Sequence, residues 1–218
     1  MERSLLTYRD LRGARGVESP VLVMLHGRGA DDDQLVPLYE ALKPPYDACI
    51  VRAPVPLVPP TGYAHETFGR SWYLCRAIHR PEPISFGDSL WHFEQLVREV
   101  RERFGPERRV LLTGCDQGAV LSLTLAVIAP DWLAGVVAIN GYAPSIDGWS
   151  LPENDMGRLP TLLVYDSNLS DDDQRLAEST AEELRRHNAA IEIARVDSLV
   201  EKPLALTPVV RAWLDERR

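Results

Sequence analysis

The stretch Arg109–Leu123, RVLLTGCDQGAVLSL, decides the fold. Arg109–Gly114 is an apolar run of strand length, and Gln117–Ala129 carries a helical pattern directly after it. No loop residues separate the two, so the chain must reverse on a sharp turn. Gly114 and Gly118 flank that turn, where side chains would collide. The layout is G-x-S-x-G, a strand–elbow–helix whose serine normally carries a nucleophilic hydroxyl. Here the central position is Asp116.

Outward from this elbow, strands alternate with helices. Pro20–Gly27 (PVLVMLHG) is a continuous apolar run ending at glycine, which fits a buried strand. Asp33–Lys43 reads as a helix, with Leu35, Leu38, Tyr39 and Leu42 on one face, and Asp47–Ala53 as the next strand. Further strands are expected at Leu133–Asn140, Pro160–Tyr165 and Ala190–Val196, and an edge strand at Leu5–Arg9. Helices are expected at Asp88–Phe104, Asp171–His187 and Leu204–Arg217. Such alternation predicts a mostly parallel sheet with helices on both faces, in one domain spanning 1–218. Sites in such sheets lie at the C-terminal strand ends. The stretch Pro54–Gly87 carries Pro54, Pro56, Pro59, Pro60, Pro81 and Pro83 and reads as irregular. Its aromatic residues suggest a packed loop covering a site. DDDQ occurs at Asp31–Gln34 and again at Asp171–Gln174; both copies open helices, where acidic residues suit the positive end.

Composition narrows the function. The chain has 218 residues, 45% hydrophobic and 26% charged, which describes an ordinary globular protein. Lys plus Arg number 24 against 32 Asp plus Glu, a formal net charge of -8. That acidic balance argues against nucleic acid and against an anionic membrane surface. The N-terminus lacks the apolar core of a secretory signal. Cys49, Cys75 and Cys115 form neither a disulfide framework nor a zinc pattern, so a reducing cytoplasm is expected and no metal or cofactor. A small-molecule ligand or substrate is the expected partner, and pairing into a homodimer stays open.

Several segments together resemble the phospholipase/carboxylesterase family of α/β-hydrolases, which includes the acyl-protein thioesterases. LHGRGADDDQL (25–35) is similar to the family's first glycine motif, and RAPVP (52–56) with GRSWY (69–73) to its P-x-P … WF/WY region. LLTGCDQGAVLSL (111–123) is similar to the LGGFSQGG elbow, and VVAINGY (136–142) to the VVALSG strand end. The likeness covers roughly 18–216 and implies a three-layer α/β-hydrolase fold. It also implies an oxyanion hole from the backbone N–H groups of Arg28 and Gln117. His26 and Gly27 would belong to the hole loop, with the histidine bracing it. Trp72 and Tyr73 would be pocket-wall aromatics, with core packing as the alternative.

The departures bear on chemistry. Aligned on the family's patterns, Leu169 falls where the triad acid stands and Val200 where the histidine stands, give or take a residue. The chain's histidines are His26, His65, His79, His92 and His187, so none lies near the C-terminus. The expectation is a degenerate triad and no ordinary serine-esterase turnover. His65 and His79 stand in the proline-rich loop, either as exposed residues or as groups lining the pocket mouth; Tyr142 is placed to reach the site from its strand end. Three uses of Asp116 remain. It acts as general acid or base beside the hole, on a small carbonyl- or ester-containing metabolite. Or the pocket only binds a small molecule or a partner. Or Asp116 is itself a nucleophile, as in haloalkane dehalogenases and epoxide hydrolases, which place aspartate at the elbow.

Overall fold

The computed structural model describes residues 3–13, 19–42, 46–57, 69–197, 199 and 203–217. Strand β1 (Thr7–Leu11) is followed by β2 (Val21–Leu25), helix α1 (Val36–Leu42) and β3 (Ala48–Arg52). Four short strands come next: β4 (Val55–Pro56), β5 (Arg70–Ser71), β6 (Cys75–Ala77) and β7 (Arg80–Pro81). The rest of the chain alternates: α2 (Pro83–Phe104), β8 (Val110–Cys115), α3 (Gln117–Ile128), β9 (Leu133–Ile139), β10 (Pro160–Asp166), α4 (Asp171–Arg186), β11 (Ala190–Val196) and α5 (Thr207–Asp215).

Seven strands form the central sheet in the order β1-β3-β2-β8-β9-β10-β11. β1 runs antiparallel to β3, and the other pairings are parallel. Alternation along β2 shows why its sequence is continuously apolar. Val21, Val23 and Leu25 face a core built with α2, α3 and α4. Leu22 and Met24 face a second core built with α1 and α5. A strand buried on both faces has no polar side to show. This is the three-layer α/β-hydrolase architecture.

Helix α3 is apolar around its whole circumference and is buried from Gln117 to Val127, as expected of a helix enclosed within the core. Helix α4 is the opposite: Ser170 caps it by accepting from the Asp173 N–H, Asp171, Asp172 and Asp173 fill its first turn, and Ala177, Ala181 and Leu184 form its buried stripe.

The stretch 54–87 is less irregular than the sequence suggests. β4 pairs with β5 and β6 with β7, and α2 starts at Pro83 rather than Asp88. Glu82 sets that start: its carboxylate accepts the Ile84 and Ser85 N–H groups, and Pro83 occupies the first turn, where its missing N–H costs nothing. Residues 58–68, including His65, lie outside the described residues. Among the described residues, no helix is long and apolar enough to cross a membrane.

Candidate active site

β8 passes into α3 through Asp116 alone, whose backbone sits at φ 51, ψ -117. Positive φ in a non-glycine residue stores about 1–3 kcal/mol, which the surroundings must hold in place. The flanking glycines serve close approach. A Cβ on Gly114 would stand 2.4 Å from the Gly118 carbonyl oxygen, and one on Gly118 would stand 2.5 Å from that of Leu25. The Asp116 N–H is fixed by the Ile139 carbonyl at 2.8 Å.

The loop after β2 lies against this elbow. His26 is fully buried. Its Nε2 accepts the Ala53 N–H at 3.0 Å, so Nδ1 carries the proton it donates to the Gly27 carbonyl at 2.7 Å. Burial lowers its pKa and keeps the ring neutral. Gly27 donates to the Gln34 side chain, and Gly29 and Ala30 bond to Arg70. His26 therefore braces the loop and offers no free nitrogen for catalysis.

Trp72 and Tyr73 are also fully buried. The Trp72 indole N–H donates to the His26 carbonyl at 2.8 Å, and the Tyr73 hydroxyl donates to the Ile78 carbonyl at 2.7 Å. They pack as core, and neither lines the clefts beside Asp116. The Gln117 side chain ties this segment to the elbow. Its Oε1 accepts from Ser71 Oγ and the Trp72 N–H, and its Nε2 donates to the Tyr73 carbonyl and Cys75 Sγ.

The Asp116 carboxyl lies against the Arg28 N–H, one of the two donors that the family resemblance assigns to an oxyanion hole. Its Oδ2 accepts the Arg28 N–H at 3.3 Å, so that donor is engaged by the aspartate itself. Its Oδ1 is buried and has no hydrogen-bond partner among the described residues. Burial pushes the carboxyl pKa up to about 6, against the opposing pull of the Arg28 and Gln117 N–H groups and the Arg28 charge.

Two clefts meet at this residue. The larger, about 630 Å³, is walled by Asp116, by Asn140 and Tyr142 after β9, by Asp166 and Leu169 around the end of β10, and by His79 and Asp173. His79 stands on the turn between β6 and β7. Burial and then Arg80 lower its pKa, while Asp173 raises it, and its ring lies edge-on to Tyr142 at 6.2 Å. The Tyr142 pKa is pushed up to about 12, chiefly by burial and then by Asp173, which its hydroxyl also hydrogen-bonds. The smaller cleft, about 320 Å³, shares Asp116 and Asn140 with the larger and adds Cys115, Leu35, Leu38 and Leu199. Burial pushes the Cys115 thiol up to about 12, with the Asp116 charge adding to it, which leaves it a poor nucleophile.

The structure thus brings together Asp116, Arg28, Gln117, Gly27, Tyr142 and Leu169. It adds His79, Asn140 and Asp173. Leu199 is buried and donates its N–H to Asp166 Oδ2 at 2.7 Å; Val200 and His65 lie outside the described residues. Asp173 and the Gln117 side chain escaped the sequence reading. The only signal for Asp173 was its place in the first turn of a helix that follows a strand end. Nothing local reported that Gln117 reaches back to residues 71–75.

An elbow at the end of a central parallel strand, facing a glycine loop from the neighbouring strand, defines an α/β-hydrolase. The family model described as Phospholipase/Carboxylesterase matches residues 11–199, and the chain belongs to that family. Among solved structures it is similar to a carboxylesterase from Mesorhizobium loti, at 23% identity and a TM-score of 0.76, covering 98% of this chain and 99% of that one. It is similar to the Bacillus cereus carboxylesterase at 16% identity and a TM-score of 0.78, covering 98% and 95%. A phospholipase/carboxylesterase from Dyadobacter fermentans gives 17%, a TM-score of 0.69, and 91% and 90%. No curated protein sequence matches the chain significantly.

Proposed function

We propose that this family member has exchanged serine-ester chemistry for proton transfer by Asp116, acting without a cofactor on a small carbonyl- or ester-containing metabolite. One observation carries the reading: the elbow carboxyl has one oxygen tethered to a backbone N–H and the other buried without a partner among the described residues, at the seam of two clefts. A tethered carboxyl with its pKa raised toward neutrality is suited to take a proton and return it. Oδ1 removes a proton from carbon next to the substrate carbonyl, or from a hydroxyl, and gives it back at another atom. No covalent intermediate forms. In this reading Leu169 and Val200 stand at the family's acid and histidine positions, so neither position supplies the base that hydrolyses an acyl- or alkyl-enzyme in the family's arrangement. The Arg28 N–H, engaged by Asp116 in the resting site, becomes available to a developing oxyanion when the protonated carboxyl turns away. An ionised carboxylate about 4 Å from that oxyanion would oppose it by about 4 kcal/mol at an effective dielectric near 20.

The test is hydrogen exchange. The protein is incubated in heavy water with a panel of small ketones and lactones, and exchange beside the carbonyl is followed by NMR. Exchange should follow the ionisation of one group near pH 6 and disappear in Asp116→Asn. Exchange that persists in Asp116→Asn removes Asp116 from the role. Nitrophenyl esters should not turn over; robust turnover lost in Asp116→Ala would restore a nucleophilic reading. The engaged Arg28 donor favours one second reading, a pocket that binds without reacting. Its mark is a ligand that stabilises the protein and is recovered unchanged.

A further inference from the structure

His79 lines the larger cleft and has no part in the chemistry assigned to Asp116. Its turn is fixed from both sides. The Tyr73 hydroxyl donates to the Ile78 carbonyl at 2.7 Å, the Ser145 N–H donates to the His79 carbonyl at 2.7 Å, and Ala77 pairs with Arg80 across the ladder of β6 and β7. The half-buried ring stands edge-on to Tyr142. Among the described residues neither of its nitrogens has a hydrogen-bond partner. His79 also lines a third cleft of about 420 Å³, which runs on beside α4 past Leu176 and Thr180. Asp116 stands where the larger cleft meets the smaller one. The larger cleft thus has a titratable side chain at each of these two junctions, and a molecule filling it meets both. Other polar groups of the wall are engaged. The Tyr142 hydroxyl bonds to Asp173, and its pKa is pushed up to about 12, so it keeps its proton. Asp166 accepts the Asn168 and Leu199 N–H groups, and Asp173 accepts from Ser170 Oγ. The charged and titratable groups around His79 are Arg80 on its own turn, Tyr142 after β9, Asp173 and Glu183 on α4, and Asp116 and Asp166 in the shared wall. Burial lowers the His79 pKa and raises that of Asp116, so the two converge, and each can give or take a proton at little cost.

We infer that His79 is the second proton carrier of this site, serving substrate oxygens while Asp116 serves substrate carbons, and that the substrate is an α-hydroxy ketone or aldehyde whose carbonyl moves to the neighbouring carbon. The inference rests on the reading of Asp116 as the acid–base group, and it adds the reaction and the substrate class. Exchange beside a lone carbonyl asks for one proton carrier. Moving a carbonyl asks for two, because one proton must change carbon and another must change oxygen. Ionised Asp116 takes the proton from the carbon bearing the hydroxyl, and the C–H electron pair becomes the C=C bond of an enediol. The carbonyl π pair takes a proton from the His79 imidazolium. Neutral His79 then accepts the proton of the original hydroxyl, whose O–H pair forms the new carbonyl, and the Asp116 carboxyl returns its proton to the neighbouring carbon. Both groups end as they began. One carbon is oxidised and its neighbour reduced, so no outside oxidant or reductant is needed.

The native protein, His79→Gln and Asp116→Asn are incubated in heavy water with dihydroxyacetone, 1-hydroxy-2-butanone and 1-hydroxy-1-phenylpropan-2-one. Carbon-bound deuterium and carbonyl position are read in the same samples by NMR. The native protein should exchange and transpose, and Asp116→Asn should do neither. Native transposition should fall on both sides of a pH maximum, because the working pair holds one proton between its two groups. His79→Gln should lower transposition at least about a hundredfold more than it lowers exchange. Its residual transposition should lose the fall on the alkaline side, where ionised Asp116 alone remains in play. His79→Ala should regain transposition on addition of imidazole, which a residue that merely holds the turn would not do. Equal losses of both activities in His79→Gln, with no rescue of His79→Ala, overturn the role of His79. Exchange without transposition on all three compounds in the native protein overturns the inference and leaves proton transfer by Asp116 standing. No exchange on any of them sinks both.

Discussion

Gln117 and Asp116 are neighbours on one turn, yet their polar atoms meet opposite fates. The Gln117 amide is buried and makes four hydrogen bonds, two through each end. Asp116 keeps one weakly held oxygen and one buried oxygen with no partner among the described residues, on a backbone at φ 51. The first pattern is how a fold stabilises a buried polar group; the second is how it stores strain and desolvation at a site. A polar group that is saturated belongs to the scaffold, and one that is starved marks where a ligand or proton is expected. Substitutions at the elbow should follow that division.

The largest effect is expected at Gly118. A methyl there would press on backbone, the Leu25 carbonyl at 2.5 Å, which cannot yield as a flexible side chain would. Gly118→Ala should lose about 3 kcal/mol or more in urea unfolding, and a loss under 1 kcal/mol would show that β2 and α3 are not in contact as described. Gln117→Leu comes next. It leaves the Trp72 N–H unpaired in the core and takes one of two donors from the Tyr73 carbonyl, which keeps Ser71 Oγ, an expected cost of about 2–3 kcal/mol. An unaffected unfolding midpoint would erase the contrast with Asp116.

Asp116→Asn should go the other way. The folded state holds the Asp116 proton more tightly than the unfolded chain does, because its pKa is raised from 3.8 to about 6. Between those values the folded state binds more protons, so this group's contribution to stability falls as pH rises from about 4 through 6. The two-unit shift corresponds to about 3 kcal/mol, reduced to about 2 kcal/mol because the residue is partly exposed. Asparagine has no proton to lose. The variant should therefore be more stable than the native protein by about 2 kcal/mol at pH 8, and the advantage should vanish near pH 4. A variant that is less stable at pH 8 would mean the carboxylate is well solvated, and the starved description of Asp116 would fail.

The sequence carried the strands and the elbow because both are local. Val21–Leu25 and Val110–Cys115 are buried on both faces, and a run with no polar side announces that by itself. The flanking glycines of residue 116 announce the turn. The start of α2 was misplaced because Pro81 and Pro83 read as breakers, whereas a proline in the first turn behind a capping Glu82 is a start signal. The clefts were harder still. Their walls combine α1, the ends of β9 and β10, the first turn of α4 and the turn between β6 and β7. That grouping exists only once the sheet order is known. The meeting of Asp116, Asp166 and Asp173 on one wall and the carbon lining of the smaller cleft are tertiary facts that residue type at separate positions does not encode.

Trp72 offers the smallest effect and the finest cut. As a pocket-wall aromatic it would touch ligand; as placed, it is fully buried and its indole N–H holds the His26 carbonyl at 2.8 Å, with the His26 ring 5.4 Å away. Trp72→Phe keeps most of the apolar contact and deletes that donor, leaving one buried carbonyl short of a partner. The expected loss is about 1–2 kcal/mol in urea unfolding. The Asp116 carboxyl pKa, followed by carbon NMR, should stay within about half a unit of its native value, since no Trp72 atom hydrogen-bonds the carboxyl. A shift larger than that, with little change in stability, would place the tryptophan on the working side of residue 116. The boundary between scaffold and site would then have to be redrawn to include the hole loop that His26 braces.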